Sequence, residues 1–306
     1  MMRLVFFLVV LSPSLVEAQM RGRAAPVSLP QSPAASVGEQ VITRYAKPLK
    51  VANKVVDDGT AFRVYQVGQV KGDWLWLESG RVRGWVEAGN VVPYSQAVDH
   101  FTRQIAVAHK AASAYTCRGI VRHAKGEYDD AIADYSEALR LDPKLALAYY
   151  NRGLAWQKKQ DLDRAIADYN EAIRVAPRYA LAYRMRGTAQ HAKQDFDQAI
   201  ADYDAALRLD PKHALAYHNR GLAWRAKRDF DQAIADCTRA CELAGWSDWR
   251  FIHTLAAACA AAGDFDAAVK HGELALSMAP AEHKQRSVTA IEAYKARRPH
   301  REQAVD

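Results

Sequence analysis

The feature that most constrains this chain is a segment that recurs at a fixed interval of 34 residues. GEYDDAIADYSEALRLDP begins at residue 126, QDLDRAIADYNEAIRVAP at 160 and QDFDQAIADYDAALRLDP at 194. Each unit carries apolar residues at helical spacing in two blocks, and Gly or Gln with Asp marks the break between them. Each unit is therefore predicted to be a helix hairpin. Because such a hairpin cannot bury its apolar face alone, the units are expected to stack on one another.

Several residue types keep the same interval. Alanines fall at 131, 165, 199 and 233, glycines at 119, 153, 187 and 221, tyrosines at 115, 149, 183 and 217, and prolines at 143, 177 and 211. Tyr-x3-Gly, then Ala, then Tyr-x2-Ala and Asp-Pro at a 34-residue period resemble the tetratricopeptide repeat. The resemblance implies a mainly α fold, namely an α-solenoid built as a right-handed superhelix of helix hairpins.

On this resemblance the chain divides into five repeats with flanking helices. The repeats are expected at 112–145, 146–179, 180–213, 214–248 and, in degenerate form, 249–281. Residues 95–111 are expected to form a half-repeat, because Ala97 and Phe101 are in phase with the second helices of the array. Residues 282–306 are expected to form a polar capping helix and tail.

The fourth and fifth repeats depart from the pattern. Gly245 takes the proline site of the fourth repeat, and Cys237 takes its tyrosine site. In the fifth repeat Ala256 replaces the glycine and Gly272 replaces the tyrosine. We expect a kink or a looser joint between Gly245 and Asp248, around Trp246.

The extreme N-terminus predicts export. It has one positive charge at Arg3, an apolar run from Leu4 to Leu11, and small-residue spacing that ends at Ala18, which is typical of a signal peptide over residues 1–18. Its retention as an anchor is the alternative. The run is shorter than the ~20 residues that a membrane span needs, so no transmembrane segment is expected in the mature chain. The expected location is the periplasm, the cell envelope or the outside of the cell. Residues 19–37, rich in Pro, Ala and Ser, are predicted to be a linker.

Residues 38–94 carry about five short β-like runs separated by turn residues. Through GDWLWLESGRVRGWVEAGNVVP, this stretch resembles the SH3-like (SH3b) domains of bacterial envelope proteins, and the resemblance covers about a fifth of the chain. It implies a small SH3-like β-barrel with an aromatic groove for proline-rich or cell-wall peptides. Trp74 and Trp76, two apart on one strand, share a face and are the groove candidates. The alternative places Trp76 and Trp85 in the core and Trp74 over an edge.

Charge is distributed unevenly along the repeats. The chain has 42 Lys and Arg against 35 Asp and Glu, a net charge of +7. The four first helices, residues 112–125, 146–159, 180–193 and 214–227, contain twelve bases and no acid. The tetratricopeptide resemblance implies that first helices line the concave face, and hence a basic groove for acidic or extended peptides. Export makes nucleic acid the weaker partner.

The recurring arginines have a structural alternative. Arg118, Arg152, Arg186 and Arg220 are expected to pair with Asp134, Asp168, Asp202 and Asp236 of the second helices. Sites that vary between repeats are the better candidates for peptide contact, and these are Tyr150, Asn151, Gln157, Lys158, Arg184, His191, His218, Asn219 and Arg225.

Some tetratricopeptide domains clamp a C-terminal carboxylate with Lys and Asn residues on successive units. Asn151 matches the second-unit asparagine of that pattern. Thr116 and Ile120 stand where the first-unit Lys and Asn should be, and Leu181 and Met185 stand in place of the third-unit bases. The full clamp is therefore not expected in this chain.

The histidines and cysteines predict no metal site. His123, His191 and His218 lie on successive first helices without carboxylate or cysteine at ligand spacing, so we expect solvated histidines that titrate in mild acid. Four cysteines occur, of which Cys237, Cys241 and Cys259 are candidates for a disulfide in an exported chain. Burial of all four as thiols is the alternative.

No sequence motif indicates catalysis. No Gly-rich phosphate loop follows a strand, and no Gly-x-Ser-x-Gly elbow or paired His/Glu metal spacing occurs. The chain is predicted to be a non-enzyme without a cofactor. Two functions stay open: an exported scaffold whose repeats bind a protein or an acidic peptide, and a cell-envelope module whose SH3-like domain binds cell-wall peptide or glycan.

Overall fold

A computed structural model describes most of the repeat region and the strands that precede it. The described residues are 38, 40–43, 49–51, 54–57, 64–71, 74–79, 82–87, 91–107 and 111–298. The expected signal peptide and linker, residues 1–37, lie outside the described residues, as do residues 299–306 of the expected tail.

An antiparallel sheet precedes the helices. Its strands are β1 (Gln40–Thr43), β2 (Leu49–Val51), β3 (Lys54–Asp57), β4 (Val64–Lys71), β5 (Trp74–Ser79), β6 (Val82–Glu87) and β7 (Val91–Pro93), in the spatial order β3-β2-β6-β5-β4-β1-β7. The described part of residues 38–94 thus holds seven strands, where the sequence predicted about five. Alternate residues such as Val67, Leu75 and Leu77 form the buried face of the sheet.

Helices occupy the rest of the described chain. They are α1 (Ala97–Val107), α2 (Ala112–Lys125), α3 (Tyr128–Leu141), α4 (Ala146–Lys158), α5 (Leu162–Val175), α6 (Ala180–Ala192), α7 (Phe196–Leu209), α8 (Ala214–Ala226), α9 (Phe230–Leu243), α10 (Trp249–Ala262), α11 (Phe265–Met278) and α12 (Ala281–Lys295). Consecutive pairs from α2 onwards form the hairpins that the 34-residue period predicts, and the fold is a series of such hairpins. Among the described helices, none is long and apolar enough to cross a membrane.

The turn inside each hairpin uses the same backbone device. A residue one or two positions after the first helix has a positive φ, which is 83° at Gly126, 63° at Gln160, 67° at Gln194, 66° at Arg228 and 90° at Gly263. A left-handed residue at this point lets the next amide bond back to the helix, which ends it. Gly or Gln followed by Asp marks this turn at residues 160, 194 and 263, whereas Glu127 follows Gly126 in the first hairpin and Arg228 takes the left-handed position in the fourth.

The recurring glycines bring the two helices of a hairpin into close contact. A Cβ atom at Gly119 would lie 2.7 Å from the ring of Tyr135, and a Cβ atom at Gly153 would lie 2.7 Å from the ring of Tyr169. Both tyrosines are fully buried. Tyr135 also belongs to the same apolar cluster as Ala155 of the next hairpin, as expected for a side chain that fills the seam between repeats.

The chain forms two compact units, residues 1–177 and 178–306. In the first unit the sheet and the repeats share a core. Val92 of β7 packs in one cluster with Phe101 of α1 and Cys117 of α2, and Phe101 is only 1% exposed. Helix α1 therefore occupies the place of a second helix in the phase that the sequence predicts.

The second unit, which contains α6 to α12, includes the two irregular repeats. Gly245 and Trp246 both have a positive φ, 60° and 54°, so the chain turns sharply where the fourth repeat lacks its proline. Asp248 then caps α10 by accepting the amide of Arg250 at 3.0 Å. Gly272 of the fifth repeat has no room for a side chain, because a Cβ there would lie 2.9 Å from Ile291 of α12. The last helix thus occupies the space of the missing tyrosine ring.

Candidate binding face of the first helices

The four recurring arginines are held by the four recurring aspartates, as the structural alternative predicted. Arg152 donates from Nε and Nη2 to the two carboxylate oxygens of Asp168 at 2.8 and 2.7 Å. Arg186 binds Asp202 in the same way at 2.8 and 2.5 Å. The corresponding arginines Arg118 and Arg220 hold Asp134 and Asp236. The four aspartates are buried, so these pairs belong to the architecture of the hairpins.

Three of these arginines also bond a residue that precedes their own hairpin. Arg152 also donates from Nη1 to Ser136 Oγ at 3.0 Å, on the second helix of the preceding repeat. Its guanidinium lies 5.8 Å from the centre of the Tyr149 ring, within the range of a cation–π contact. Arg118 donates likewise to Thr102 at 3.0 Å, and Arg220 to Asp204. Arg118, Arg152 and Arg220 thus connect their own hairpins to the helix that precedes them.

Further bases of the first helices are neutralised by acids of second helices. Arg122 binds Asp134 at 2.9 Å, and Lys159 binds Asp129, 30 residues earlier. Lys227 binds Asp197 across the same interval. At least seven of the twelve bases are therefore paired with described acids. The count on first helices alone overstates the positive charge, because the acids that neutralise these bases lie on other helices.

In the first unit, three of the four sites proposed for peptide contact serve the scaffold. Tyr150 is 3% exposed and its ring packs against Tyr169, with centroids 6.0 Å apart. Asn151 is buried and donates to the carbonyl of Leu147 at 2.8 Å. Gln157 accepts from the Tyr169 hydroxyl at 2.9 Å.

Lys158, by contrast, is exposed at the end of α4. Among the described residues, none supplies a carboxylate to it within ion-pair distance. Of the four first-unit candidates, it is the side chain that a solute can reach freely.

In the second unit two of the candidates, Asn219 and His218, join neighbouring first helices. Asn219 on α8 donates to Thr188 on α6 at 3.2 Å, and His218 packs on the ring of Phe251 on α10 with centroids 4.7 Å apart. His191 packs edge-on against Phe196 at 5.2 Å, and Arg225 lies close enough for its charge to affect His191. All four side chains are partly exposed, so they combine a structural contact with access to solvent.

Arg184, the remaining candidate of this unit, is partly exposed on α6 and has a different environment. Its Nε–H is buried and has no hydrogen-bond acceptor. Arg184 and Lys158 are thus bases of the first helices for which the described residues provide no carboxylate.

The histidines differ from the expectation of solvated groups that titrate in mild acid. Burial lowers the pKa of His123 to about 4, and the charge of Lys158 acts in the same direction. Burial also lowers the pKa of His191, with a smaller effect of the same sign from Arg225. His123 therefore stays neutral in mild acid, and His191 is harder to protonate than a histidine in water, because their environment disfavours the charged form.

Trp76 and Trp85 lie on the face of the sheet opposite to its core. Leu75 and Leu77 are buried, whereas Trp76 and Trp85 are partly exposed and pack edge-on with centroids 5.4 Å apart. The alternative that put Trp76 and Trp85 in the core is therefore wrong. Trp76 donates from Nε1 to Glu78 at 2.8 Å. Trp74 lies on β5 two residues before Trp76, and its side chain is outside the described part.

The structure holds the cysteines as buried free thiols. Cys237 and Cys241 on α9 and Cys259 on α10 belong to one apolar cluster, and burial raises the pKa of each, to about 12, 12 and 11. The disulfide considered for these three residues is not formed here. Cys237 and Cys241 lie one turn apart on the same helix, which suits packing better than bonding. Over the described ranges, no cluster of three or more His, Cys, Asp or Glu side chains fits a metal ion.

Comparison with known families and structures agrees with this geometry. Residues 119–160 and 187–224 match a family model described as TPR repeat, and residues 146–179 match one described as Tetratricopeptide repeat. A search of curated proteins by sequence found no significant match.

Several solved structures are similar in fold. YrrB, described as a TPR protein with an unusual peptide-binding site, is 19% identical and has a TM-score of 0.53, with 64% of this chain and 99% of that chain covered. Yeast Tom70 is 22% identical with a TM-score of 0.53, over 65% of this chain and 43% of that one. A MamA protein is 24% identical with a TM-score of 0.50, over 57% and 94%. At these identities the likeness shows the fold.

Proposed function

Because the chain carries tetratricopeptide repeats at residues 119–179 and 187–224, we propose that it is an exported, non-enzymatic scaffold whose first helices bind acidic or extended peptide segments of a partner protein. The observation that carries this proposal is the pair of first-helix bases, Lys158 and Arg184, for which no described carboxylate is in place. The class of function is also that of YrrB, whose own description names a peptide-binding site.

The proposal predicts that peptide binding depends on salt concentration, which can be measured. The first helices expose no acid, so a peptide carboxylate meets no like charge from them. Attraction between exposed charges falls off over ~8 Å at physiological ionic strength. Binding through these bases should therefore weaken as salt is added, mainly through slower association.

The test reverses the three candidate bases together. Lys158→Glu, Arg184→Glu and Arg225→Glu are combined in one variant, and its binding to a fluorescein-labelled acidic decapeptide is measured by anisotropy at low and high salt. We expect the variant to lose binding and to keep its fold, because none of the three residues is buried as a whole; circular dichroism checks that it is folded.

The matched control reverses three exposed arginines of second helices at the same 34-residue spacing, Arg140, Arg174 and Arg208. It makes the same change in net charge and should leave binding nearly intact. Equal binding by the wild type and the first-helix variant, with an equal salt slope, would refute the proposal.

Export rests on the signal-like residues 1–18 and is tested separately. The intact mass of the protein isolated from its native cells should correspond to a chain that begins after Ala18. A full-length mass in the soluble fraction would contradict export.

A second candidate function uses the sheet, which we propose to be an SH3-like domain that binds cell-wall peptide or glycan. The partly exposed pair Trp76 and Trp85 on the face opposite the core favours it. Since the sheet shares a core with α1 and α2, the test should use substitutions in the full chain. Trp76→Ala should reduce retention on isolated cell wall, whereas the first-helix charge reversals should not; unchanged retention by Trp76→Ala would favour the peptide scaffold alone.

A further inference from the structure

Two tryptophans meet at a corner on the outer face of strands β5 and β6. Trp76 and Trp85 are register partners, and their ring centroids lie 5.4 Å apart with an interplanar angle of 64°. Both side chains are partly exposed, whereas Leu75 and Leu77 bury the opposite face of β5. Because the two rings lie outside the core, part of each aromatic surface is accessible to a ligand.

The position of the Trp76 ring is fixed by its neighbours. Its Nε1–H donates to Oε1 of Glu78 at 2.8 Å. The register between β4 and β5 shifts between Val67 and Gln69, so Gly68 is the extra residue of a β-bulge. A Cβ atom at Gly68 would lie 3.2 Å from Cδ1 of Trp76 and 3.3 Å from Oε1 of Glu78. The glycine therefore lets the indole and the carboxylate lie directly against β4.

Exposed polar side chains stand beside this aromatic corner. In the register of β4 and β5, Gln66 pairs with Glu78 and Gln69 pairs with Trp76, and register partners share a face of the sheet. Gln66, Gln69 and Glu78 are all exposed. Each amide offers two N–H donors and a carbonyl acceptor, and the carboxylate keeps lone pairs beyond the one that Trp76 uses. The face thus combines aromatic rings with hydrogen-bonding groups of both kinds.

This combination matches the chemistry of a sugar ring. A pyranose presents C–H groups on its faces and hydroxyls around its rim, and each hydroxyl both donates and accepts. The face of an aromatic ring carries partial negative charge, so it attracts the C–H groups. Amide and carboxylate side chains bond the hydroxyls and fix the orientation of the ring. The corner and its polar neighbours therefore supply both contacts that a sugar needs.

Peptides and strongly charged ligands match this face less well. A proline-rich peptide that docks on aromatic rings brings carbonyls that need donors, and the indole N–H of Trp76 is already given to Glu78. In the register, Glu78 pairs with Arg83 and Trp85 pairs with Lys50, so acidic and basic residues stand on these strands together. A ligand without net charge suits such a mixture.

We propose that Trp76 and Trp85 stack on a pyranose ring of a neutral glycan, whose hydroxyls bond to Glu78, Gln66 and Gln69. This inference rests on the second candidate function, the binding of cell wall by the sheet, and narrows its ligand to glycan. The sugar can come from the N-acetylated strands of a cell wall or from a polysaccharide without acetamido groups, and the probes below separate these two sources.

The first experiment observes Trp76 directly in the full chain. In protein labelled with 15N-tryptophan, the Nε1–H signal of Trp76 is assigned by its loss in Trp76→Phe. The probes are chitotetraose, cellotetraose, a cell-wall stem tetrapeptide and a proline decapeptide. We expect a saturable shift with at least one tetrasaccharide and none with either peptide. A response to chitotetraose alone indicates wall glycan, an equal response to cellotetraose indicates other polysaccharides, and no response to either tetrasaccharide overturns the inference.

The second experiment measures the affinity of variants for the tetrasaccharide that responds. Trp85→Leu should weaken binding at least tenfold and Trp85→Phe should weaken it less, because phenylalanine keeps an aromatic face and leucine keeps only apolar surface. Gly68→Val should also weaken binding, because it displaces Trp76 from β4. Val70→Thr is the matched control on β4: Val70 is exposed and pairs with Leu75 of the opposite face, so this variant should bind like the wild type.

The outcomes separate the inference from the function on which it rests. A Trp76 signal that a peptide shifts and neither tetrasaccharide shifts refutes the inference and keeps a cell-wall function for the sheet. A signal that a tetrasaccharide shifts, in a protein that isolated cell wall does not retain, supports the inference and refutes that function. Equal losses in Trp85→Leu and Trp85→Phe, with equally lowered Tm, would show a structural role for this ring and would contradict stacking on the sugar.

Discussion

Replacing Arg152 by methionine tests how the hairpins are held together. The substitution removes the partner of Asp168, whose side chain is only 7% exposed, while the methionine can still pack on Tyr149. The carboxylate of Asp168 then remains inside the hairpin between α4 and α5 without a cation. Burial already raises the pKa of Asp168 against the opposing effect of Arg152.

The magnitude follows from burial on both sides of the pair. Breaking a buried ion pair by removing one partner costs about 3–5 kcal/mol. The side chain of Arg152 is 23% exposed, so water reaches part of the site and reduces the penalty. We expect Arg152→Met to lower the free energy of unfolding by roughly 2–4 kcal/mol. Protonation of Asp168 relieves the unpaired charge, so the deficit relative to wild type should narrow as the pH falls.

Two further variants isolate the cause. Arg152→Met combined with Asp168→Leu removes both charges and should recover most of the lost stability, because replacing a buried pair by apolar residues is often neutral. Arg174→Met is the matched control in the same unit. Its pair with Glu171 is exposed on both sides, 65% and 42%, so its loss should destabilise the protein far less than the loss of Arg152.

The assay is urea unfolding followed by circular dichroism, together with hydrogen exchange of the amides in α4 and α5. Exchange is needed because repeat arrays do not always unfold in one step. If Arg152→Met were as stable as Arg174→Met, the pair would not hold the hairpin. If the double variant were as unstable as the single one, packing rather than unpaired charge would be the cause.

Four further predictions concern the core and its titration. Phe101→Ala should cost ~3–5 kcal/mol and admit protease between Tyr94 and residue 101, since Phe101 joins the sheet to the repeats; resistance equal to wild type would contradict this. Ala165→Asp, at a fully buried site, should unfold more than one hairpin as seen by hydrogen exchange, whereas a wild-type melting curve would show that the site is not packed. His123 has a folded pKa of about 4 against 6.5 unfolded, so the unfolded chain binds more protons between these values and stability should fall by roughly 3 kcal/mol as the pH drops through them; His123→Gln should flatten that profile, and an unchanged slope would contradict it. The four buried thiols should resist alkylation in the native protein and all react after unfolding, and a mass with fewer than four adducts would indicate a bridge.

The repeat made the helical part of the fold predictable. The period fixed the hairpins, the left-handed turn at Gln160 and its equivalents, and the pairing of Arg152 with Asp168. Each of these features depends on residues of one repeat or of adjacent repeats. A regular spacing of these residues in the sequence therefore gives them a regular arrangement in the fold. The phase of Phe101 predicted its burial for the same reason.

The candidate site was less predictable, because a residue can vary between repeats either through contact with a ligand or through different packing within the protein. Tyr150 and Asn151 vary and yet are buried, since one packs on Tyr169 and the other bonds within its own helix. The residue types at these two sites vary because the side chains that pack around them differ from repeat to repeat. Lys159 was counted as groove charge, although its partner Asp129 lies 30 residues earlier on a second helix. Counting charges on one set of helices cannot detect such partners.

The sheet shows a different limit. In WLWLES every second residue shares a face, but both faces of that strand are apolar, so alternation does not say which one is buried. The larger size of the tryptophan side chains favoured Trp76 as a core residue. In the structure the opposite face of the strand is buried, with Leu75 and Leu77 in the core. The choice depends on which residues of β4 and β6 face them, which a single strand does not encode.

The hydrogen bonds from the recurring arginines to residues 16 positions earlier have a consequence for how such a chain can gain or lose repeats. Arg118, Arg152 and Arg220 each bond an acceptor 16 residues earlier, at Thr102, Ser136 and Asp204. The block at 112–145 therefore carries both a donor to the preceding helix, Arg118, and an acceptor for the next block, Ser136. A gene duplication in register would add a hairpin whose joints already fit, while an insertion of another length would separate donor from acceptor. The first helices at 146–159 and 214–227 differ at three of fourteen positions, which is the trace that copying of whole blocks would leave.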